Sequence, residues 1–359
     1  MLKIEPYFNK VFVPFTCASL PNRGIHQASE ILTKYLYKHR NEELYCLKID
    51  IKKFYPSINR KILKKLLQKV FKDKDLLFEL DNIINSFDKN DLYKLNLTDE
   101  EKAIYCKPGK GVPVGSYLSQ YLANFYLAYF DHWLTEKCKC ECVIRYMDDI
   151  VILSKSKEFL HNLLCAIKIY LKFELDLELK ETYSIYPVSS GIDFVGFRHF
   201  STYKLLRRSS YKNFKRNFIN LAKKDEITES DWCSIVSECG WLTWCNSYNL
   251  YNKYVFPLMG KIGSYYWFNK RGKNKWKEFL LFLKYENKHS ANMKIYKYHK
   301  SHNKIHKKRR IIMKHFDEVH CLDIPPLELE INVDTIFKRY NINSFENEEG
   351  RTVYEYQED

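Results

Sequence analysis

The chain has 359 residues, of which 45% are hydrophobic and 29% charged, with a formal net charge of +15 and a mean hydropathy of −0.45. This composition excludes a fibrous or low-complexity protein, and no apolar run is long enough to cross a bilayer, so we expect no membrane association. The 11 cysteines and the lack of a recognisable signal peptide favour reduced thiols and a cytoplasmic location over secretion.

The first predicted elements lead to an isolated acid. A helix is predicted over residues 27–38, and a mostly apolar strand over residues 44–51 carries Asp50 near its end. An aspartate at the end of a strand is often the cap of the next helix. Asp50 becomes a candidate metal ligand only if other acids join it.

Between these elements and the next acids lies a glycine-bearing loop, residues 111–115. After it, residues 116–137 contain no glycine or proline and show a long apolar pattern that predicts a helix. Such a loop lets backbone approach a ligand closely, although the same pattern also marks an ordinary helix entry.

Two further acids stand in Tyr146-Met147-Asp148-Asp149, between the apolar runs 142–144 and 150–153. Adjacent carboxylates at the tip of a strand pair repel each other unless a cation neutralises them, whereas a plain Asp-Asp hairpin turn is the alternative. Together with Asp50 they favour a site for two Mg²⁺ ions, with Mn²⁺ as the alternative, because hard cations prefer oxygen ligands.

The remaining elements differ in charge. Residues 191–197 alternate apolar positions around Gly196 and predict a tight hairpin. Residues 317–359 carry 12 acidic and 3 basic side chains, whereas the rest of the chain carries 56 basic and 32 acidic ones. The basic part suits a nucleic-acid partner. The acidic part is either a small docking module or a tail.

In this order, Asp50, residues 111–124, residues 146–149 and residues 191–197 resemble palm motifs A, B, C and E of the reverse transcriptases, and the resemblance runs from about Asn9 to Arg208. It is closest in character to the bacterial defence-associated, diversity-generating and retron-type enzymes. The resemblance implies an α+β right-hand polymerase fold, with fingers, a palm of antiparallel sheet covered by helices, a helical thumb and a small C-terminal extension. The predicted parts are residues 1–45 for the N-terminal fingers, 46–208 for the palm with inserted fingers at about 59–108, 211–285 for the thumb, 286–316 for a basic RNA-binding segment and 317–359 for an acidic extension.

The resemblance also assigns roles to residues. Catalysis falls to Asp50, Asp148 and Asp149, and metal binding to the same acids and Ile51. Nucleotide binding falls to Tyr55, Lys52, Lys53, Arg23, Pro113, Val114, Gly115, Gln120 and Lys180. A primer grip falls to Phe194, Val195, Gly196 and Phe197. The basic segment adds Lys304, Lys307, Lys308, Arg309 and Arg310 as predicted nucleic-acid contacts. The resemblance makes Tyr55 the aromatic steric gate that selects dNTPs, with a core tyrosine as the alternative. For Arg23 and Lys180 the alternative is a solvated surface charge.

The implied function is two-metal transfer of dNTPs onto a 3′-hydroxyl with an RNA template. The expected partners are a template or structured noncoding RNA, the DNA product, and a protein partner or a second copy of the chain. The setting that the resemblance favours is bacterial anti-phage defence with a dedicated noncoding RNA.

One position departs from many relatives. Val114 stands where retroviral and intron enzymes carry glutamine, and an aliphatic residue there resembles error-prone, diversity-generating enzymes. Val114 thus supports a diversity-generating retroelement as one alternative, while lineage drift is the other explanation of this residue. Template-independent or protein-primed synthesis and a non-catalytic, maturase-like RNA scaffold also stay open.

Overall fold

The computed structural model describes residues 4–86, 98, 109–113, 116–225, 227–258, 342–346 and 352–356. The chain divides into two compact units, one of residues 1–195 with 330–359 and one of residues 196–329. No helix among the described residues has the length and apolar character of a membrane span.

An antiparallel sheet organises the first unit. Its strands are β1 (Tyr45–Asp50), β2 (Cys142–Tyr146), β3 (Asp149–Ser154) and β4 (Ser184–Pro187), in the spatial order β2-β3-β1-β4. A fifth short strand, β5 (Ile192–Phe194), follows in the chain. β3 is a central strand, and its residues 150–153 are all buried. This explains why the run reads as continuously apolar and not alternating.

Helices cover the sheet. In chain order they are α1 (Glu5–Val11), α2 (Ile25–Lys38), α3 (Phe54–Ser57), α4 (Arg60–Val70), α5 (Lys74–Asn85), α6 (Tyr117–Tyr126), α7 (Ala128–His132) and α8 (Lys157–Leu175). α2 packs against β2, and α8 packs against β1, β3 and β4. Side chains of Asn59, Asp73 and Ser156 accept hydrogen bonds from the first turns of α4, α5 and α8, which satisfies amides that otherwise lack partners.

The single helix predicted over residues 116–137 is wrong in detail. α6 ends at Tyr126, α7 covers Ala128–His132, and a π-helical turn follows over Trp133–Lys137. No glycine or proline marks these breaks. They accompany Asp131, whose buried side chain bonds to groups on other elements, so tertiary contacts override the local pattern.

The second unit starts with a hairpin. β6 (Phe197–His199) pairs antiparallel with β7 (Lys204–Leu206), and α9 (Arg208–Lys223), α10 (Glu229–Leu242) and α11 (Tyr248–Leu250) follow. A π-helical turn at Tyr251–Val255 and a 3₁₀ turn at Phe256–Leu258 end the described part of this unit. Their apolar faces enclose one core, with Phe197, Phe214, Phe218, Ile235 and Tyr251 at its centre.

The mixture of helices and antiparallel sheets agrees with the predicted α+β class. The assignment of fingers, palm and thumb to the predicted ranges stays a prediction. The basic segment and most of the acidic extension lie outside the described residues. The exception is a hairpin in the extension, β8 (Ile342–Glu346) paired with β9 (Thr352–Tyr356), which the sequence analysis did not predict.

Candidate active site

Strand register brings the predicted carboxylates to one edge of the sheet. Asp50, the last residue of β1, lies directly opposite Asp149, the first residue of β3. Asp148 occupies the two-residue turn before β3, and its carbonyl accepts a hydrogen bond from Ile51 N at 3.3 Å. Asp50 therefore meets the adjacent pair Asp148 and Asp149, about a hundred residues later in the sequence, at the ends of two neighbouring strands.

The turn itself is strained. Met147 has φ +56°, a conformation that costs a residue with a Cβ about 1 kcal/mol or more. The Arg145 guanidinium offsets this cost, because its Nη1 donates to the Met147 carbonyl at 3.1 Å. The surroundings thus fix the backbone that carries Asp148.

Two lysines neutralise the outer carboxylates. Lys180 Nζ lies 2.6 Å from Asp50 Oδ1, and Lys48 Nζ lies 3.4 Å from Asp149 Oδ2. The hydrogen bond to Asp50 raises the pKa of Lys180. Burial raises the pKa of Asp148, and the negative charge of Asp50 adds to this shift. The edge therefore disfavours a full set of negative charges unless a cation accompanies them.

The residue types at this edge fit a divalent cation. Carboxylate oxygens are the ligands that Mg²⁺ and Mn²⁺ prefer, and Asp50, Asp148 and Asp149 bring such oxygens to this edge. The Ile51 side chain is a hydrocarbon, so only its main-chain carbonyl could serve as a ligand. As the side chains stand, the described residues include no group of three or more His, Cys, Asp or Glu that could hold a metal ion. Lysine side chains neutralise Asp50 and Asp149 in this arrangement.

Tyr55 lies beside the strained turn. Its hydroxyl donates to Met147 Sδ at 3.7 Å, and its ring meets Phe54 edge-on. Burial raises the pKa of Tyr55, and the charge of Asp148 contributes. Phe54 is buried and takes the core position. The half-exposed ring of Tyr55 is thus left next to the carboxylates, and its role as a steric gate stays a prediction.

The two lysines after Asp50 are exposed. Lys52 Nζ pairs with Glu178 at 3.2 Å, and Lys53 has φ +48° at the start of α3. Both lie within three residues of Asp50, just past the end of β1. Their nucleotide contacts stay predictions.

The loop before α6 is anchored on both sides. Gly111 N donates to Ile58 O at 2.8 Å, Arg60 Nε donates to Gly111 O at 2.8 Å, and Lys110 Nζ pairs with Asp176 at 2.8 Å. Pro113 follows this anchor and is half-buried. Gln120 is half-buried on α6. Val114 and Gly115 lie outside the described residues.

Arg23 is engaged with the backbone. Its Nη1 donates to Val13 O at 2.7 Å and to Thr16 O at 3.0 Å. Burial lowers the pKa of the guanidinium. The side chain therefore ties the loop between α1 and α2 together, and its predicted contact with a triphosphate stays a prediction.

The predicted primer grip forms a tight turn. Val195 and Gly196 have φ +42° and +89°, the signs found at the centre of a type I′ turn. Phe194 and Phe197 are fully buried. The boundary between the two compact units falls between Val195 and Gly196. Lys304, Lys307, Lys308, Arg309 and Arg310 lie outside the described residues.

Comparison with known proteins decides the family. Residues 1–198 match the family model of the reverse transcriptase (RNA-dependent DNA polymerase). The chain belongs to the reverse transcriptase family. The matched reverse transcriptase domain contains all three acids, and it confirms the predicted enzyme class, an RNA-directed DNA polymerase.

No curated protein sequence matches the chain. Among solved structures, apo telomerase from Candida tropicalis is similar with a TM-score of 0.42 and 17% identity, over 66% of this chain and 44% of that one. Telomerase from Candida albicans, in complex with the TWJ fragment of telomeric RNA, has a TM-score of 0.40 and 13% identity, over 74% of this chain and 46% of that one. The chain thus spans less than half the length of these telomerases.

The reverse transcriptase domain also contains a buried polar network that the sequence analysis missed. Arg145 bonds to both oxygens of Asp131, to Asn124 Oδ1 at 3.0 Å and to the Met147 carbonyl. Thr16 completes it by donating to Asp131 at 2.9 Å. The available signal was a charged residue in an apolar setting, Asp131 within the predicted helix and Arg145 directly after the apolar run 142–144.

Proposed function

We propose that this chain extends a 3′-hydroxyl with dNTPs on an RNA template. The observation that carries the proposal is the register of β1 and β3, which sets Asp50 opposite Asp149 with Asp148 in the adjoining turn. These three acids lie in the domain that matches the reverse transcriptase family.

Asp50, Asp148 and Asp149 would hold the divalent ions. A bound ion of this kind supplies a Lewis acid for the attacking hydroxyl and the leaving pyrophosphate. Other side chains shape the space and the charge around these acids. Tyr55 limits the space beside Asp148, and Lys180 provides a positive charge next to Asp50.

Primer extension on an RNA template tests this proposal. We expect Asp148→Ala combined with Asp149→Ala to reduce DNA synthesis to below about 1% of wild type, because both changes remove oxygen ligands. The matched control is Glu30→Ala combined with Glu158→Ala, which removes two carboxylates from exposed helix positions. Equal DNA synthesis by the aspartate variant and the control would contradict the assignment of these acids. Equal biological activity of wild type and the aspartate variant would leave an RNA-binding scaffold as the function.

For the biological setting, we propose a bacterial anti-phage defence enzyme that works with a dedicated noncoding RNA. The support is resemblance in sequence: the His132-Trp133 pair after Asp131 and the run 191–197 are similar to that group of enzymes. Val114 supports the second candidate, an error-prone enzyme of a diversity-generating retroelement. The cytoplasmic location stays a prediction.

Sequencing the nucleic acids that copurify with the active protein separates these settings. A single discrete RNA with complementary DNA, together with fewer phage plaques on expressing cells, supports defence. DNA copies with dispersed substitutions support diversity generation. Homopolymeric DNA contradicts templated copying, and DNA linked to tyrosine indicates protein-primed synthesis.

A further inference from the structure

Lys48 contacts two parts of the first unit at once. It lies on β1 two residues before Asp50, so both side chains extend from the same face of the strand. Its Nζ donates to the Asp193 carbonyl at 2.5 Å and lies 3.4 Å from Asp149 Oδ2. About a quarter of the side chain is exposed. Neutralising Asp149 does not account for its second contact, the one with the Asp193 carbonyl.

The carbonyl that Lys48 reaches is itself held in place. Phe194 and Val195, the next residues in the chain, are buried in one cluster with Cys46 and Val151 of the sheet. Asp193 O is therefore fixed to the same face of the sheet that carries Asp149. A flexible lysine anchored at this point has few other positions, so its charge stays beside Asp149.

We propose that Lys48 is a positioning residue for Asp149. Its ammonium group attracts Asp149 Oδ2 and is itself held by the Asp193 carbonyl. The orientation of the Asp149 carboxylate therefore depends on where that carbonyl lies. Because its ammonium group lies beside a carboxylate that is a candidate cation ligand, Lys48 also opposes cation binding there. The inference rests on the proposed function of Asp149, and it predicts that loss of Lys48 has opposite effects on metal affinity and turnover.

The test measures Mn²⁺ binding to the full chain by electron paramagnetic resonance, without nucleic acid or nucleotide, and turnover by primer extension. For Lys48→Met we expect Mn²⁺ to bind roughly three- to tenfold more tightly, since one opposing charge is lost. We expect kcat to fall roughly 10- to 100-fold, as is typical when a partner of a metal ligand is removed. KM for dNTP should change by less than about twofold, because Lys48 orients a carboxylate and not the nucleotide.

Two further variants separate the effect of the Lys48 charge from a change in overall charge and from a loss of folding. Lys155→Met removes one positive charge at the opposite end of β3, where Lys155 pairs with Glu42, and it should change neither affinity nor kcat. Lys48→Gln keeps a donor for the Asp193 carbonyl without the charge. It should match Lys48→Met in Mn²⁺ affinity and serves if the methionine variant does not fold.

A purely structural role would weaken Mn²⁺ binding and turnover together. Unchanged or weaker Mn²⁺ binding in both neutral variants overturns the inference, even if the wild type makes DNA. A different result separates the two proposals. If the Lys48 variants bind Mn²⁺ more tightly but the wild type makes no DNA, the proposed function is overturned, while the effect of Lys48 on cation binding stands.

Discussion

Arg145 and Asp131 form a fully buried, bidentate ion pair. Arg145 Nε donates to Asp131 Oδ1 at 2.8 Å and Nη2 donates to Oδ2 at 2.6 Å, with neither side chain exposed to solvent. The same guanidinium also donates to the Met147 carbonyl. The pair thus connects the packing of α7 to the turn that carries Asp148.

Asp131→Asn should strongly destabilise the protein, because it leaves the Arg145 charge buried without its carboxylate. We expect a loss of about 3–5 kcal/mol in the free energy of unfolding, measured by denaturant titration. Glu30→Gln makes the same chemical change in an exposed pair with Lys34 and should cost under about 1 kcal/mol. Similar losses for the two variants would contradict a structural role for the buried pair.

Tyr55→Ala should admit ribonucleotides, whereas Tyr55→Phe should not. The ring lies next to Met147 and Asp148, and the phenylalanine variant keeps the ring while losing only the hydroxyl. We expect the dNTP-to-rNTP ratio of kcat/KM to fall at least about tenfold in the alanine variant, equivalent to ~1.4 kcal/mol. The idea fails if single-nucleotide extension assays give the same ratio for Tyr55→Ala and wild type.

The raised pKa of Asp148 predicts a pH effect on stability in the presence of a chelator. A carboxyl group whose pKa is higher in the folded state than its ordinary value of 3.8 binds protons more readily when folded. Its contribution therefore favours folding at low pH and is lost as the pH rises from about 4 through the raised folded pKa. Asp148→Asn should be more stable than wild type at pH 7, and the difference should shrink as the pH approaches 4. Thermal melts from pH 4 to pH 7 check this, and a constant difference would count against it.

Gly196→Ala should destabilise the second unit. A Cβ at this position would lie 2.7 Å from Trp241 Cζ3, and the backbone has φ +89°. We expect a cost of about 1–3 kcal/mol from the overlap and the backbone strain together. In a double-mutant cycle, Trp241→Leu should recover the part due to overlap but not the part due to φ. Strict additivity of the two changes would show that the ring does not cause the cost.

The strand and helix patterns in the sequence predicted the elements that carry the acids. They did not predict the Arg145–Asp131 ion pair that connects the Asp148 turn to α7. The strand predicted over residues 44–51 is observed at Tyr45–Asp50, and the helix predicted over residues 27–38 begins two residues earlier, at Ile25. These elements have strong apolar patterns of their own. Within the range predicted for the thumb, α10 ends at Leu242, and the Ser247 hydroxyl donates to the Leu242 carbonyl.

The missed residues share one property, which is that their roles depend on distant partners. Lys48 reads as one polar position in a strand until the register places it near Asp149. Arg145 and Asp131 are 14 residues apart, and nothing in either local pattern names the other. Arg23 was predicted as a functional residue from its charge, but the sequence did not reveal the two backbone carbonyls to which its Nη1 donates.

The pairing of Asp50 with Asp149 has a consequence for biosynthesis. About a hundred residues separate the two acids, so on the ribosome β1 is made well before β3, at the usual ~5–20 residues per second. A nascent or truncated chain that ends before β3 contains Asp50 but cannot assemble the pair. Any catalytic activity must therefore arise only after β3 has joined the sheet, and fragments that end earlier should be inert toward nucleotides.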